Sequence, residues 1–171
     1  MARLSAMSRV LGLAVVALLA STAGVLAQGA DKQSDGRFTG YAAITDDLKW
    51  YDRFQRPETP AIHGQDLFKP GDRCSLVILF SNAEPRQGAV KVECDIVSFD
   101  PKGSSKVVDA GTCYEGPYHG DNIFHPALLD LQFEIGENDP AGAAGFNVTL
   151  RDVNSGRSVD LSVAFKQGKA N

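Results

Sequence analysis

Three side chains in one short segment of the sequence are candidate metal ligands. His119, Asp121 and His125 provide two imidazole groups and one carboxylate, a donor set that suits zinc or copper. They lie in a glycine-containing stretch, and the three histidines of the whole chain are no enrichment. A periplasmic protein that binds zinc or copper through these residues is therefore one functional hypothesis.

The same histidines belong to an aromatic segment, residues 111–126, which we predict to be a long loop between strands. Long loops often carry function, and tyrosine and histidine present apolar area with a polar tip. One interpretation is a surface that recognises a protein or a cell-envelope component; an exposed strand edge is a second route to such binding. The other interpretation is a structural loop pinned over the domain. The recognition surface would comprise Tyr114, Tyr118, His119, Phe124 and His125.

The only tryptophan lies in a second aromatic segment, residues 49–54. The structural interpretation is that Trp50 covers the core from an early strand or a short helix. The functional interpretation is an aromatic platform for a sugar or a peptide. A small carbohydrate-active or hydrolytic protein that acts near Trp50 is therefore a third hypothesis.

Common catalytic motifs are absent from the sequence. There is no Gly-x-Ser-x-Gly elbow, no His-Glu-x-x-His helix, no phosphate-binding loop and no dinucleotide fingerprint. Glu115 and Asp121 could act as an acid and a base only if the fold brought them together. The sequence therefore predicts a binding protein that is not an enzyme.

The three cysteines allow at most one intramolecular disulfide. Cys94 and Cys113 form the preferred pair, because they flank a turn and could face each other across a hairpin. This bond would close a loop of about 20 residues and stabilise the fold by roughly 3 kcal/mol. Pairing of Cys74 with Cys94 is the alternative, and the unpaired thiol would fill the core.

The charge balance narrows the class of partner. The 171 residues include 17 Lys and Arg against 21 Asp and Glu, a formal net charge of −4. Proteins that bind nucleic acid usually present a basic field, so we expect a protein or cell-envelope partner and no nucleic acid. With 43% hydrophobic and 22% charged residues, the chain can form one globular core. The oligomeric state is left open.

The first 27 residues have the pattern of a secretory signal peptide. Arg3 and Arg9 precede an apolar run from Val10 to Ala20, and small side chains follow up to Ala27. Cleavage after Ala27 would place the protein in the periplasm or outside the cell, with no transmembrane segment left. An uncleaved anchor is the alternative, because the uncharged stretch reaches the lower limit for crossing a bilayer.

Alternation of apolar and polar residues predicts β-strands over most of residues 37–171, after a flexible polar lead-in at 28–36. About seven strands separated by turn signals predict one all-β domain, a β-sandwich with Greek-key links. A closed barrel is the second choice. Each strand should have one buried face and one wet face. The predicted strands lie near 37–45, 74–80, 90–98, 105–110, 129–135, 146–151 and 159–165.

Two stretches carry a family resemblance. One is Phe68-Lys69-Pro70-Gly71-Asp72 leading into Leu76-Val77-Ile78, and the other runs from Asp139-Pro140-Ala141-Gly142 through Asp152 to Ser155-Gly156-Arg157-Ser158-Val159 and Phe165. They resemble an early strand and the terminal hairpin of bacterial secreted immunoglobulin-like domains. No core tryptophan lies between two framework cysteines, unlike in antibody-type domains. The resemblance implies an immunoglobulin-like β-sandwich and no particular activity.

Overall fold

The computed structural model describes residues 28–55, 61–129 and 131–168. The predicted signal peptide at 1–27 lies outside these residues. The described chain contains ten strands and one short helix, so the prediction of an all-β protein is confirmed. No helix in these ranges is long and apolar enough to span a bilayer. The elements are β1 (Ala30–Asp35), β2 (Phe38–Thr45), α1 (Trp50–Phe54), β3 (Leu67–Phe68), β4 (Arg73–Ser81), β5 (Ala89–Phe99), β6 (Ser105–Pro117), β7 (His125–Pro126), β8 (Leu131–Glu134), β9 (Gly142–Asp152) and β10 (Ser158–Gln167).

The strands form two sheets. Sheet A has the order β1-β2-β4, and the far side of β4 pairs with β7 along one half and with β8 along the other. Sheet B has the order β3-β10-β9-β5-β6. All pairs are antiparallel except β3 with β10. Inward side chains of both sheets share one apolar core.

The predicted alternation is clear in β5, where the inward face is buried at Val90, Val92, Cys94 and Ile96. In β4 the expectation of one wet face is wrong, because residues 74–81 are all buried. The outer face of β4 is covered by a second small apolar cluster that includes residues of α1. Sheet A is therefore covered on both faces near β4.

The predicted disulfide between Cys94 and Cys113 is confirmed, and it joins β5 to β6. Val92 pairs with Tyr114 whereas Glu93 pairs with Thr112, so Cys113 is the extra residue of a β-bulge. A bulge lets two consecutive side chains turn to the same face, and both Cys113 and Tyr114 are buried.

The remaining thiol, Cys74, is free and buried in the core. Burial raises the pKa of the thiol to about 12, and the nearby carboxylates of Asp72 and Asp46 act in the same direction. Since the thiolate is the reactive form of cysteine, this side chain acts as a small apolar filler.

The N-terminal segment differs from the flexible lead-in predicted at 28–36. Ala30–Asp35 forms an edge strand that pairs with β2 along its whole length. The carboxylates of Asp31 and Asp35 accept hydrogen bonds from the backbone N–H groups of Ser162, at 2.9 Å, and Ser158, at 3.3 Å. The sequence pattern could not predict β1, because this strand has no apolar alternation. It is fixed by backbone pairing with β2 and by the hydrogen bonds of the two carboxylates. These contacts join sheet A to β10 of sheet B on this side of the domain.

Candidate functional site

The aromatic segment that the sequence suggested as a recognition surface is largely part of the folded core. Tyr114 is 8% exposed and His125 is 7% exposed. The His125 ring lies between those of Phe80 and His119, with centroid distances of 5.5 and 5.1 Å. The prediction that Tyr114 and His125 contact a partner is therefore wrong, because their rings are packed against other residues.

The tip of this segment is tied to the rest of the domain. An ion pair of 2.6 Å joins Arg37 to Asp121, and the Tyr118 hydroxyl donates to the same carboxylate. The hydrogen bond from Tyr118, together with Arg37, lowers the pKa of Asp121. The backbone N–H of Asn122 donates to the Asn82 side chain at 2.6 Å. These contacts favour the structural interpretation of the loop. Among the five predicted recognition residues, only His119 is exposed, and Tyr118 and Phe124 are partly buried.

The predicted metal ligands do not assemble. Across the described ranges, no group of three or more histidine, cysteine, aspartate or glutamate side chains is placed to hold a metal ion. His119 and His125 stack on each other, but Asp121 is engaged by Arg37 and Tyr118. The geometry therefore does not support the predicted zinc or copper site at His119, Asp121 and His125, because the three side chains do not converge on one point.

His125 is instead expected to make stability depend on pH. Its Nε2 atom is buried and has no hydrogen-bond partner among the described residues. Burial, reinforced by the neighbouring His119, lowers the pKa of the imidazole. The unfolded chain, with a pKa of about 6.5, therefore binds the proton more tightly than the folded protein. The contribution of neutral His125 to stability is complete above pH ~6.5 and is lost as the pH falls towards the folded pKa.

We therefore expect the wild-type melting temperature to fall between neutral pH and about pH 5. A His125→Phe variant keeps the ring stacking but cannot titrate, so its melting temperature should fall less. The exposed His63 provides the control, and His63→Gln should behave like the wild type. Thermal melts across this pH range test the assignment, and an equal fall in all three proteins would contradict it.

Trp50 is only 5% exposed, so most of its ring is covered by the protein. The indole packs with Ala43, Val77 and Leu79 on the outer face of sheet A. Its Nε1–H group donates to the Ser75 hydroxyl at 2.9 Å, as a buried indole usually requires. Burial of the indole therefore favours the structural interpretation of this segment, and an open pocket beside α1 that Trp50 helps to line offers a ligand little of the ring.

A site that sequence reasoning missed lies on the side of the domain opposite β1. There an open cleft of about 380 Å³ separates β8 from the first half of β6. We call it the β6–β8 cleft. Its walls are Lys106–Val108 of β6 and residues 131–135 around β8. The Phe133 ring of β8 and side chains of β9 and β10 form its floor. Further along β6, the backbone N–H of Leu128 donates to the Cys113 carbonyl at 2.8 Å and closes the gap between the sheets.

The floor of the β6–β8 cleft is aromatic. The ring of Phe133 meets that of Phe146 edge to face, with centroids 5.3 Å apart, and lies 5.8 Å from that of Phe165. Phe133 is only partly buried, and Val107 on the opposite wall is 64% exposed. Apolar surface of this kind, in a concave site, is typical of a binding cleft.

Both walls are strand edges. β6 is the last strand of sheet B, and β8 is the last strand on its half of sheet A. In the parts of the chain that the structure describes, no strand pairs with either of them on the cleft side. Unpaired edges offer N–H and C=O groups to an added strand. The cleft can therefore accept both the backbone and the side chains of an extended segment.

A second β-bulge modifies the β6 edge. Ile96 pairs with Asp109 and Val97 pairs with Val107, so Val108 is the extra residue. Bulges interrupt the hydrogen-bond ladder of an edge and hinder edge-to-edge pairing with another copy. Side-chain burial in the cleft, more than a long continuous ladder, would therefore hold a bound segment.

Comparison with known proteins gives no family model and no curated protein that matches the chain. Among solved structures, the chain is similar to part of a family 123 glycoside hydrolase from Clostridium perfringens, a structure that describes glycolipid glycan hydrolysis. The sequences are 13% identical and the TM-score is 0.45. The match covers 77% of this chain and 28% of that chain.

This match contradicts the prediction that the protein is not an enzyme, because the matched structure is that of a hydrolase. The prediction was based on the absence of common catalytic motifs. Glycoside hydrolysis needs only two suitably placed carboxylates. Such a pair has no short sequence motif by which it could be recognised. The prediction is therefore not kept.

Proposed function

We propose that the protein is a secreted or periplasmic binding module that holds an extended segment of a protein partner in the β6–β8 cleft. The observation that carries this proposal is the position of two terminal strands, β6 and β8, on either side of a cleft with an aromatic floor. Strand edges are specific for polypeptide backbone, since a peptide presents the matching row of N–H and C=O groups. A small apolar molecule would use the floor but not the edges.

Side-chain alternation explains how such a segment would gain affinity. Every second side chain of an added strand points to the same face. One set would enter the cleft and contact Phe133, Phe146 and Phe165, which line it. Burying one apolar side chain is worth about 1.5–3 kcal/mol, so two such contacts contribute roughly 3–6 kcal/mol before the costs of binding are subtracted.

The same proposal includes the finer class of the fold and its location. The strand orders β10-β9-β5 in one sheet and β2-β4-β8 in the other support an immunoglobulin-like β-sandwich. They match the orders G-F-C and A-B-E of the two sheets in that fold. The Cys94–Cys113 disulfide supports an oxidising compartment, since such bonds persist outside the reducing cytosol. Together with the predicted leader, this favours the periplasm or the exterior of the cell.

Random linear peptides displayed on phage should yield binders that recognise the β6–β8 cleft. A Val107→Asp variant should bind them at least about tenfold more weakly, because the new carboxylate must lose water in an apolar site. Val107 is 64% exposed, so this variant should keep its fold. Titration of the selected peptides against both proteins measures the effect.

The control is Val153→Asp, which changes an exposed valine that follows β9, away from the lining of the cleft. It should bind the selected peptides like the wild type. Recovery of no binders, or of binders that both variants hold equally well, would overturn the proposal.

A further inference from the structure

We infer that the bound segment carries an aromatic side chain flanked by a basic residue. The aromatic ring would enter the β6–β8 cleft, and the basic group would lie against the wall formed by β8. This inference rests on the proposed function, because it specifies the polypeptide segment that the cleft holds.

The arrangement of rings on the floor favours an aromatic guest. Phe133 lies between Phe146 and Phe165, and the planes of the Phe133 and Phe146 rings meet at 60°. Because Phe133 is only partly buried, one side of this aromatic group faces the open cleft. Aromatic rings prefer edge-to-face or offset contacts with centroids about 4.5–7 Å apart. A further ring can therefore extend the same packing.

The size of the cleft agrees with such a guest. Its volume of about 380 Å³ falls within the usual range of about 300–1,000 Å³ for ligand sites, and it exceeds the volume of one aromatic side chain. Ala144 and Gly145 lie on the floor beside the phenylalanines, and their small size keeps the site open. A Cβ atom on Gly145 would lie 2.1 Å from the Val163 carbonyl oxygen, so this position cannot take a larger residue.

The charges at the cleft specify the flanking residue. Three charged side chains line it: Glu134, Asp139 and Lys106. The two carboxylates lie on or next to the β8 wall, and neither forms a salt bridge with a described residue. Arg73 is the cross-strand neighbour of Glu134 and donates to the Gln132 side chain at 3.4 Å. Its positive charge offsets only one of the two carboxylates. The β8 wall is therefore complementary to a cation, whereas Lys106 lies on the opposite wall.

Strand geometry requires the aromatic residue and the basic residue to be neighbours in the sequence of the partner. Along β8, Phe133 is half-buried on the cleft side and its neighbour Glu134 is exposed. Successive side chains of an added strand alternate in the same way. When one side chain of the segment enters the cleft beside Phe133, its neighbours in sequence lie level with Glu134. A basic residue directly before or after the aromatic residue can therefore meet this carboxylate.

Three labelled synthetic peptides with the same flanks test the inference. Their central residues are Lys-Phe-Lys, Lys-Leu-Lys or Glu-Phe-Glu, and fluorescence anisotropy gives each dissociation constant. The Lys-Phe-Lys peptide should bind tightest, about three- to tenfold more tightly than Lys-Leu-Lys, since ring–ring contacts add roughly this factor. Its binding should weaken as salt is added.

Two variants of the protein complete the test. Phe133→Leu should reduce the preference for phenylalanine over leucine, as a double-mutant cycle requires for contacting residues. Glu134→Gln should weaken binding of Lys-Phe-Lys and reduce its salt dependence. The control is Asp95→Asn, which changes an exposed carboxylate on β5 outside the cleft lining and should have no effect.

The outcomes separate this inference from the proposed function. Equal binding of the phenylalanine and leucine peptides, or of the lysine and glutamate peptides, overturns the inference while peptide binding itself stands. If neither these peptides nor any displayed peptide binds, the proposed function fails. If sedimentation shows that a second copy of the chain occupies the cleft, the partner that we infer is wrong.

Discussion

Replacing Asp152 with alanine is expected to lower the free energy of unfolding by about 3 kcal/mol. This carboxylate is fully buried at the end of β9. It accepts hydrogen bonds from the backbone N–H of Glu84 at 2.8 Å and of Asn154 at 3.1 Å, and from the Ser155 hydroxyl. Hydrogen bonds to a charged group contribute about 1.5–3 kcal/mol each, and desolvation of the charge offsets part of that gain.

Urea unfolding measures the effect, and the midpoint should fall by roughly 1–2 M. Asp160→Ala is the matched control, because Asp160 is exposed on β10 and its side chain accepts one hydrogen bond, from Thr149. Its unfolding free energy should change by no more than about 0.5 kcal/mol. A similar loss in both variants would show that Asp152 does not organise the end of β9.

The second large effect is expected from the disulfide. A Cys94→Ala/Cys113→Ala variant should lose about 3 kcal/mol of stability, because the bond closes a loop with a sequence separation of 19 in the unfolded chain. For a domain of this size, the melting temperature should fall by on the order of 10 °C. Both sulfur atoms belong to buried residues, so the alanine side chains avoid burying a polar group.

A reducing agent present during thermal unfolding provides an independent measurement. It should lower the melting temperature of the wild type towards that of the double variant and leave the double variant unchanged. The free Cys74 is present in both proteins and cancels in this comparison. If the reducing agent had no effect on the wild type, or an equal effect on both proteins, the disulfide would not be the source of the difference.

Much of the fold could be predicted from apolar alternation, because burial between two sheets imposes a period of two. The inward positions of β5 follow this rule. The Cys94–Cys113 bond could be predicted from the hairpin that joins the two strands, although Cys113 lies at a β-bulge and departs from the period of two. The exceptions have physical reasons. β1 is held by its backbone and two carboxylates, and the second apolar face of β4 is covered by distant parts of the chain, including α1.

The candidate site could not be predicted from the sequence. It exists because, in the part of the chain that the structure describes, no further strand lies beside β6 and β8. The alternation around Phe133 correctly indicates an inward side chain, but the same pattern would occur if another strand covered it. In the aromatic loop the error was the reverse, because a site was predicted where the side chains belong to the core. Tyr114 and His125 have residue types that suit recognition, yet the fold uses them as core, and a single sequence does not distinguish these uses.

The carboxylates that join β1 to β10 have a consequence for self-assembly. An open-ended filament needs two complementary surfaces on each copy, so that every added copy presents a new one. Acceptors from Asp31 and Asp35 already occupy N–H groups on the β10 side. Two copies that paired through their β6 edges would form a closed dimer, because both copies use the same surface. The fold therefore leaves pairing with another chain to the β6 and β8 edges and keeps it away from this part of β10.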